Sequence, residues 1–98
     1  MSLPVNLTDE ALFDLQQAYE WYNTKRDGLG VTFVTRTKAK LLAIGDSPES
    51  CALLWGNVRA TTIRRFPYIV YYRILVDRVE VLAILHGSRD VSEWQRRV

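Results

Sequence analysis

The sequence predicts an α+β fold in which a helical hairpin packs on one face of a small, mainly antiparallel sheet, in the order β-α-α-β-β-β with a short C-terminal segment. Three observations lead there. Apolar residues recur at helical spacing between Ala11 and Ile44, the spacing changes to two after Gly56-Asn57, and the connections that follow are short enough to require antiparallel neighbours. Residues 1–98 read as one domain.

Thr8 followed by Asp9 and Glu10 is an N-cap with an acidic first turn, and Pro4 limits the preceding Leu3 to Leu7 segment to an edge strand or an extended lead-in. The first helix is expected to run to about Arg26. Ala11, Leu12, Leu15, Ala18, Tyr19 and Tyr22 share its inward face, and Phe13 and Trp21, off that face, are expected to pack on the second helix or on Trp55. Gly28 supplies a left-handed residue for a tight turn into a second helix, Leu29 to Ile44, which Gly45 is expected to stop. Leu29, Phe33, Val34, Thr37, Leu41 and Ile44 point inward along it.

A polar loop and an irregular stretch holding Cys51 and Trp55 precede the strands. Val58 to Arg65 is the first, broken by Phe66-Pro67; Tyr68 to Val76 is the second, and Val79 to His86 is the third after an Asp77-Arg78 turn. Strict alternation assigns Val70, Tyr72, Ile74, Val79, Val81, Ala83 and Leu85 to the helical hairpin. It leaves Ile69, Tyr71, Leu75, Leu82 and Ile84 on the opposite face, which is more apolar than a solvent-facing sheet should be. Gly87 ends the third strand, and Val91 to Val98 reads as a short turn or helix capped by Asp90 or Ser92.

With 48% hydrophobic and 24% charged residues, the composition excludes disorder, and no stretch has the ~20 apolar residues of a spanning helix. The N-terminus lacks the basic start and apolar run of a signal peptide, and the lone Cys51 allows no internal disulfide, so a reducing, cytoplasmic setting is expected. One cysteine and one histidine make no zinc site, and no cofactor is expected. The net charge of +2 is uneven: residues 1–58 carry five basic and seven acidic side chains, residues 59–98 eight and four. A basic function, if present, belongs to the C-terminal half.

His86 is the only histidine and alone has an unperturbed pKa near neutrality. It can act as general acid or base with Arg89 holding a phosphate, or as a structural donor that pins the C-terminal segment to the sheet. Ser88, His86 and Asp90 are not expected to form a nucleophilic triad, because neighbours at a strand end point apart. Arg89 and Asp90 could equally be an ion pair or a helix cap. Arg64 and Arg65, with Arg89 and Trp94, are candidate contacts to nucleic acid or an acidic surface, although Arg64 and Arg65 are expected on opposite faces; plain solubility and edge protection is the alternative.

The segments EALFDLQQAYEWYNTKRDGLG, RRFPYIVYYRILVDRVEVLAIL and HGSRDVSEW, taken in order, resemble a ParE-type member of the RelE/ParE toxin superfamily, from about Val5 to Arg97. The resemblance implies the toxin of a type II toxin-antitoxin, or plasmid stabilisation, module with a cognate antitoxin. ParE-like relatives are linked to inhibition of DNA gyrase, whereas RelE-like relatives cut messenger RNA on the ribosome. The ribonuclease branch implies lysines where this sequence has Ala60 and Thr62 and an arginine where it has Ile69. Arg89 keeps its place, and Trp94 or Gln95 lies near the position of a terminal tyrosine.

The expectation is therefore a ParE-like toxin that binds a protein target without catalysis, with a ribosome-dependent endonuclease using His86 and Arg89 as the alternative. A homologue that keeps antitoxin binding but has lost toxicity is a third reading. The antitoxin is expected to cover Ile69, Tyr71, Leu82 and Ile84, and a homodimer is also allowed.

Overall fold

A computed structural model describes residues 2–98. The chain runs β1 (Val5–Leu7), α1 (Asp9–Lys25), α2 (Leu29–Asp46), β2 (Leu53–Trp55), β3 (Val58–Thr62), β4 (Tyr68–Ile74), β5 (Val79–His86) and α3 (Ser92–Gln95). The five strands form one sheet in the order β1-β5-β4-β3-β2, antiparallel except for the edge pair of β1 with β5. The expected order of elements holds, with one strand added: β2 lies where the sequence suggested irregular chain, and pairs with β3 across the Gly56-Asn57 turn. No described helix is long and apolar enough to cross a membrane.

Local signals set the helix ends. The Thr8 hydroxyl accepts the Ala11 N–H at 3.1 Å, with Asp9 and Glu10 in the first turn and Lys25 in the last, as the macrodipole favours. Gly28 adopts φ 84°, the left-handed conformation that a side chain resists, and α2 starts directly after it. Gly45 does not stop α2. The helix continues to Asp46, and the buried Gly45 lets the N-terminal segment cross close by: the Leu3 N–H donates to the Gly45 carbonyl at 2.9 Å, and a Cβ at position 45 would stand 2.8 Å from the Leu3 oxygen.

The inward face of α1 is Ala11, Asp14, Ala18 and Tyr22, with Leu15 half-buried. Leu12, expected inside, is 55% exposed. Tyr22, Phe33, Phe66 and Tyr68 meet at centroid distances of 4.9 to 5.8 Å and join both helices to the β3–β4 turn. Each such pair adds about 0.5–1.5 kcal/mol beyond the area it buries.

A β-bulge corrects the facing of β5. Tyr71 pairs with Ala83 but Tyr72 with Val81, so Leu82 is an extra residue and the alternation slips by one. Val79 and Val81 face the hairpin with Val70 and Tyr72, as expected, and so does Ile84. Ala83 and Leu85, expected on the hairpin face, lie on the other with Val58, Tyr71 and Leu82.

That second face is covered. Trp94, 2% exposed, stacks on Tyr71 at 4.8 Å and 17° and meets Trp55 edge-on at 5.8 Å. Tyr71, Leu82 and Ile84, expected to be open to a partner, are all buried, Ile84 on the hairpin side; of the four residues assigned to the antitoxin only Ile69 is half-exposed. The cover is held by Arg97, whose guanidinium forks onto the Asp14 carboxylate at 2.6 and 3.2 Å and donates to the Leu82 carbonyl at 3.2 Å. Asp14 also accepts the Ile84 N–H at 3.1 Å.

Candidate functional site

A cleft of about 400 Å³ opens between α1 and the paired ends of β4 and β5. Phe13, Gln17 and Trp21 line it from the helix, Tyr68, His86 and Arg89 from the sheet and the turn after it. The register places Tyr68 opposite His86, and their rings meet edge-to-face at 5.5 Å. The turn closes through Gly87 N–H to the Pro67 carbonyl at 2.8 Å and Arg89 N–H to the His86 carbonyl at 2.9 Å, which swings Arg89 back toward the strand end.

The structure brings His86 and Arg89 together at one site, and adds Ser88. The Ser88 N–H donates to His86 Nδ1 at 3.0 Å, and its hydroxyl lies 2.7 Å from the same nitrogen. Neighbouring side chains at a strand end therefore do meet here, contrary to expectation, because the chain folds into a turn at Gly87. With Nδ1 accepting, the neutral ring carries its proton on Nε2. Asp90 takes no part in this arrangement; its carboxylate accepts the Ser92 N–H at 3.0 Å and starts α3.

Arg89 pairs with Glu93 at 3.6 Å, with side chains 54% and 33% exposed. Such a pair contributes about 0–1 kcal/mol, so Arg89 is available to another anion at little cost. Burial pushes the Tyr68 phenol above its ordinary pKa, Arg89 pulls against that rise, and Asp14 adds to it. Tyr68 thus stays a neutral hydrogen-bonding group near neutrality.

Phe13 and Trp21, expected to pack on α2 or Trp55, are 61% and 51% exposed and flank the cleft. They sit eight residues apart with Gln17 between, one face of α1 over about 12 Å. The Lys25 ammonium stands 4.7 Å over the Trp21 ring. The signal was present in the sequence as an aromatic pair off the buried stripe.

Arg64 and Arg65 do not join this cleft. They occupy the β3–β4 turn and line two adjoining hollows against α2, Arg65 with Arg26 and Arg36, Arg64 with Arg36 and Lys40. Trp94 is buried under the sheet, so its role here is to pack. Cys51 is a free, half-buried thiol; burial pushes its pKa up, but the nearby hydroxyls of Tyr72, Thr61 and Ser50 and the charge of Lys40 bring it below the ordinary value. Among the described residues no three His, Cys, Asp or Glu side chains gather as a metal site would require.

The sequence missed Asp14. It stands three residues after Ala11 and four before Ala18, a carboxylate on the apolar stripe, which is itself a sign of a buried partner.

Residues 5–91 match the family described as the ParE toxin of the type II toxin-antitoxin system, parDE. No curated protein matches the sequence significantly. Among solved structures, the chain is similar to a chromosomal ParDE toxin-antitoxin system from P. aeruginosa, with a TM-score of 0.77 at 18% identity, covering 87% of this chain and 96% of that one. At that identity the likeness is one of fold.

Proposed function

The chain belongs to the ParE toxin family of type II toxin-antitoxin systems, and from that premise we propose that it arrests growth in the cytoplasm by binding a protein target, DNA gyrase, until a cognate antitoxin neutralises it. The observation that carries a binding mode of action is the cleft wall: Phe13 and Trp21 stand exposed on one helix face beside Tyr68 and a loosely held Arg89. Aromatic and arginine side chains are the residue types that dominate binding energy when a partner excludes water from them.

RNA cleavage calls for cations around the scissile phosphate together with an acid and a base. Here His86 has Nδ1 engaged by Ser88, and Arg64 and Arg65 lie in separate hollows. The placement of His86, Tyr68 and Arg89 in one cleft is what keeps the ribosome-dependent endonuclease as a second reading.

For the antitoxin, the β2 edge of the sheet is the better-supported dock. Leu53, Leu54 and Trp55 of β2 are 58%, 54% and 47% exposed, and one side of the strand carries unpaired backbone groups. An extended antitoxin segment that adds to this edge would bury all three and leave the Trp94 cover in place. A second copy could use the same edge.

The purified toxin is expected to inhibit gyrase supercoiling while messenger RNA stays intact in a ribosome-containing primer-extension assay. Codon-phased cuts that vanish in His86→Ala, with supercoiling unaffected, would replace this reading with the nuclease.

A further inference from the structure

Most arginines of this chain have a partner within it, Arg89 only a loose one. Arg73, Arg78, Arg89, Arg96 and Arg97 pair with carboxylates, and Arg59 donates to backbone carbonyls. Arg26, Arg36, Lys40, Arg64 and Arg65 form no ion pair among the described residues, and these five converge from three segments: the end of α1, one face of α2 and the β3–β4 turn. Arg36 lines both adjoining hollows, so the cations form one continuous strip, and among the described residues no carboxylate lines either hollow.

Two features indicate that the strip is built for an anion. Arg65 holds φ 69°, the left-handed conformation that suits glycine or asparagine, so the turn places a cation there at some cost in local backbone energy. The start of α2 beside it has no acidic residue in its first turn, although Asn23 Oδ1 accepts the Gly30 N–H, so the positive end of that helix is only partly compensated.

The lining also narrows the partner. The Tyr22 ring is packed into the aromatic cluster and Phe66 against it, so no free aromatic platform is offered for stacking single-stranded bases. The hollows carry no large exposed apolar residue of the kind that anchors a protein interface. Four arginines and a lysine over shallow ground suit a phosphodiester backbone.

We propose that Arg26, Arg36, Lys40, Arg64 and Arg65 form a contact site for the phosphate backbone of duplex DNA. The choice of DNA over duplex RNA rests on the gyrase reading, whose target works on DNA; the strip itself rests on the charge arrangement. It lies apart from the His86 cleft, so the toxin would touch DNA and a protein target through different surfaces.

Fluorescence anisotropy of the purified full chain with a labelled DNA duplex, without gyrase, tests this across a salt series. Affinity should fall steeply with salt, and the combined Arg36→Gln and Arg65→Gln substitution should reduce the slope of log K against log salt by about 2 and weaken low-salt binding about tenfold or more. Arg65→Gly should lose affinity while melting at the same or a higher temperature, which separates binding from folding; Arg78→Gln should change neither. Absent or salt-independent binding, tighter binding to duplex RNA, or an unchanged slope in the double variant each overturns the proposal, and supercoiling inhibition that persists in those cases leaves the gyrase reading standing. DNA binding without gyrase inhibition supports the strip and removes that reading. Loss of gyrase inhibition in the double variant, with no DNA binding by the parent, assigns the strip to an acidic protein surface instead and overturns the DNA proposal.

Discussion

Asp14 and Arg97 lie 83 residues apart in the chain and meet as a two-pronged ion pair at 2.6 and 3.2 Å, their side chains 7% and 9% exposed. A buried pair of this kind is worth little against an apolar replacement, but breaking it strands a charge. Asp14→Ala or Arg97→Ala should therefore each lose about 3–5 kcal/mol in urea unfolding, while Asp14→Leu combined with Arg97→Met should recover most of that loss. Equal losses in the singles and the double would show that packing, not charge, holds the segment.

The α1–α2 crossing rests on Gly30. A Cβ there would overlap the Tyr19 carbonyl and stand 2.8 Å from Asn23 Oδ1, which accepts the Gly30 N–H at 2.9 Å. Helix propensity alone favours alanine by about 1 kcal/mol. Overlap reverses the sign, and Gly30→Ala should destabilise by about 1–3 kcal/mol; a gain in melting temperature would mean that the helices can part at no cost.

Alkaline pH should unfold the protein through its tyrosines. Burial raises the pKa of Tyr22, Tyr68, Tyr71 and Tyr72, so each favours the folded state fully below the unfolded value of about 10, and that stability is lost as pH rises from there through the folded values. Ultraviolet titration should show phenolate signal for these four appearing late and together with loss of structure. Tyr72→Phe should cost about 0.5–1.5 kcal/mol near neutrality, since the hydroxyl donates to the Pro48 carbonyl at 2.8 Å, but narrow the alkaline decline.

Phe13 is exposed, so Phe13→Ala should change stability by no more than about 0.5 kcal/mol, whereas Trp21→Ala, which also removes the ring under the Lys25 ammonium and an edge contact with Tyr22, should cost about 0.5–1.5 kcal/mol. If the cleft wall carries target binding, either change should weaken supercoiling inhibition tenfold or more. Full inhibition by the double variant would move the target contact elsewhere.

At the sheet edge, Leu53→Lys places a charge among the exposed apolar residues of β2. It should leave the melting temperature nearly unchanged and reduce antitoxin affinity tenfold or more by calorimetric titration. Unaltered affinity would exclude edge addition as the neutralising contact.

Much of the architecture was legible because its signals are local. Thr8, Gly28 and the Phe66-Pro67 break each act within a few residues, and they mark α1, the interhelical turn and the β3–β4 turn, although β3 ends at Thr62, short of the expected Arg65. The facing of β5 was not legible: Val81 to Leu85 are all apolar, so nothing in the run marks Leu82 as the bulged residue. β2 escaped for the same reason, three apolar residues without alternation. His86 and Arg89 could be grouped from their spacing, but Phe13 and Trp21 join them only through the way α1 crosses the end of β5. Asp14 could be flagged as a misplaced charge; its partner, 83 residues on, could not.

The two sequence-distant ends of the fold are both fastened to β5. Thr8 N–H reaches the Val81 carbonyl, Val79 N–H reaches the Pro4 carbonyl, and Arg97 reaches the Leu82 carbonyl. During synthesis the helical hairpin leaves the ribosome first, with neither its sheet nor its buried-carboxylate partner yet made. Long-range pairing of this kind is slow to form. The native fold is thus complete only after β5 and Arg97 have been translated and released.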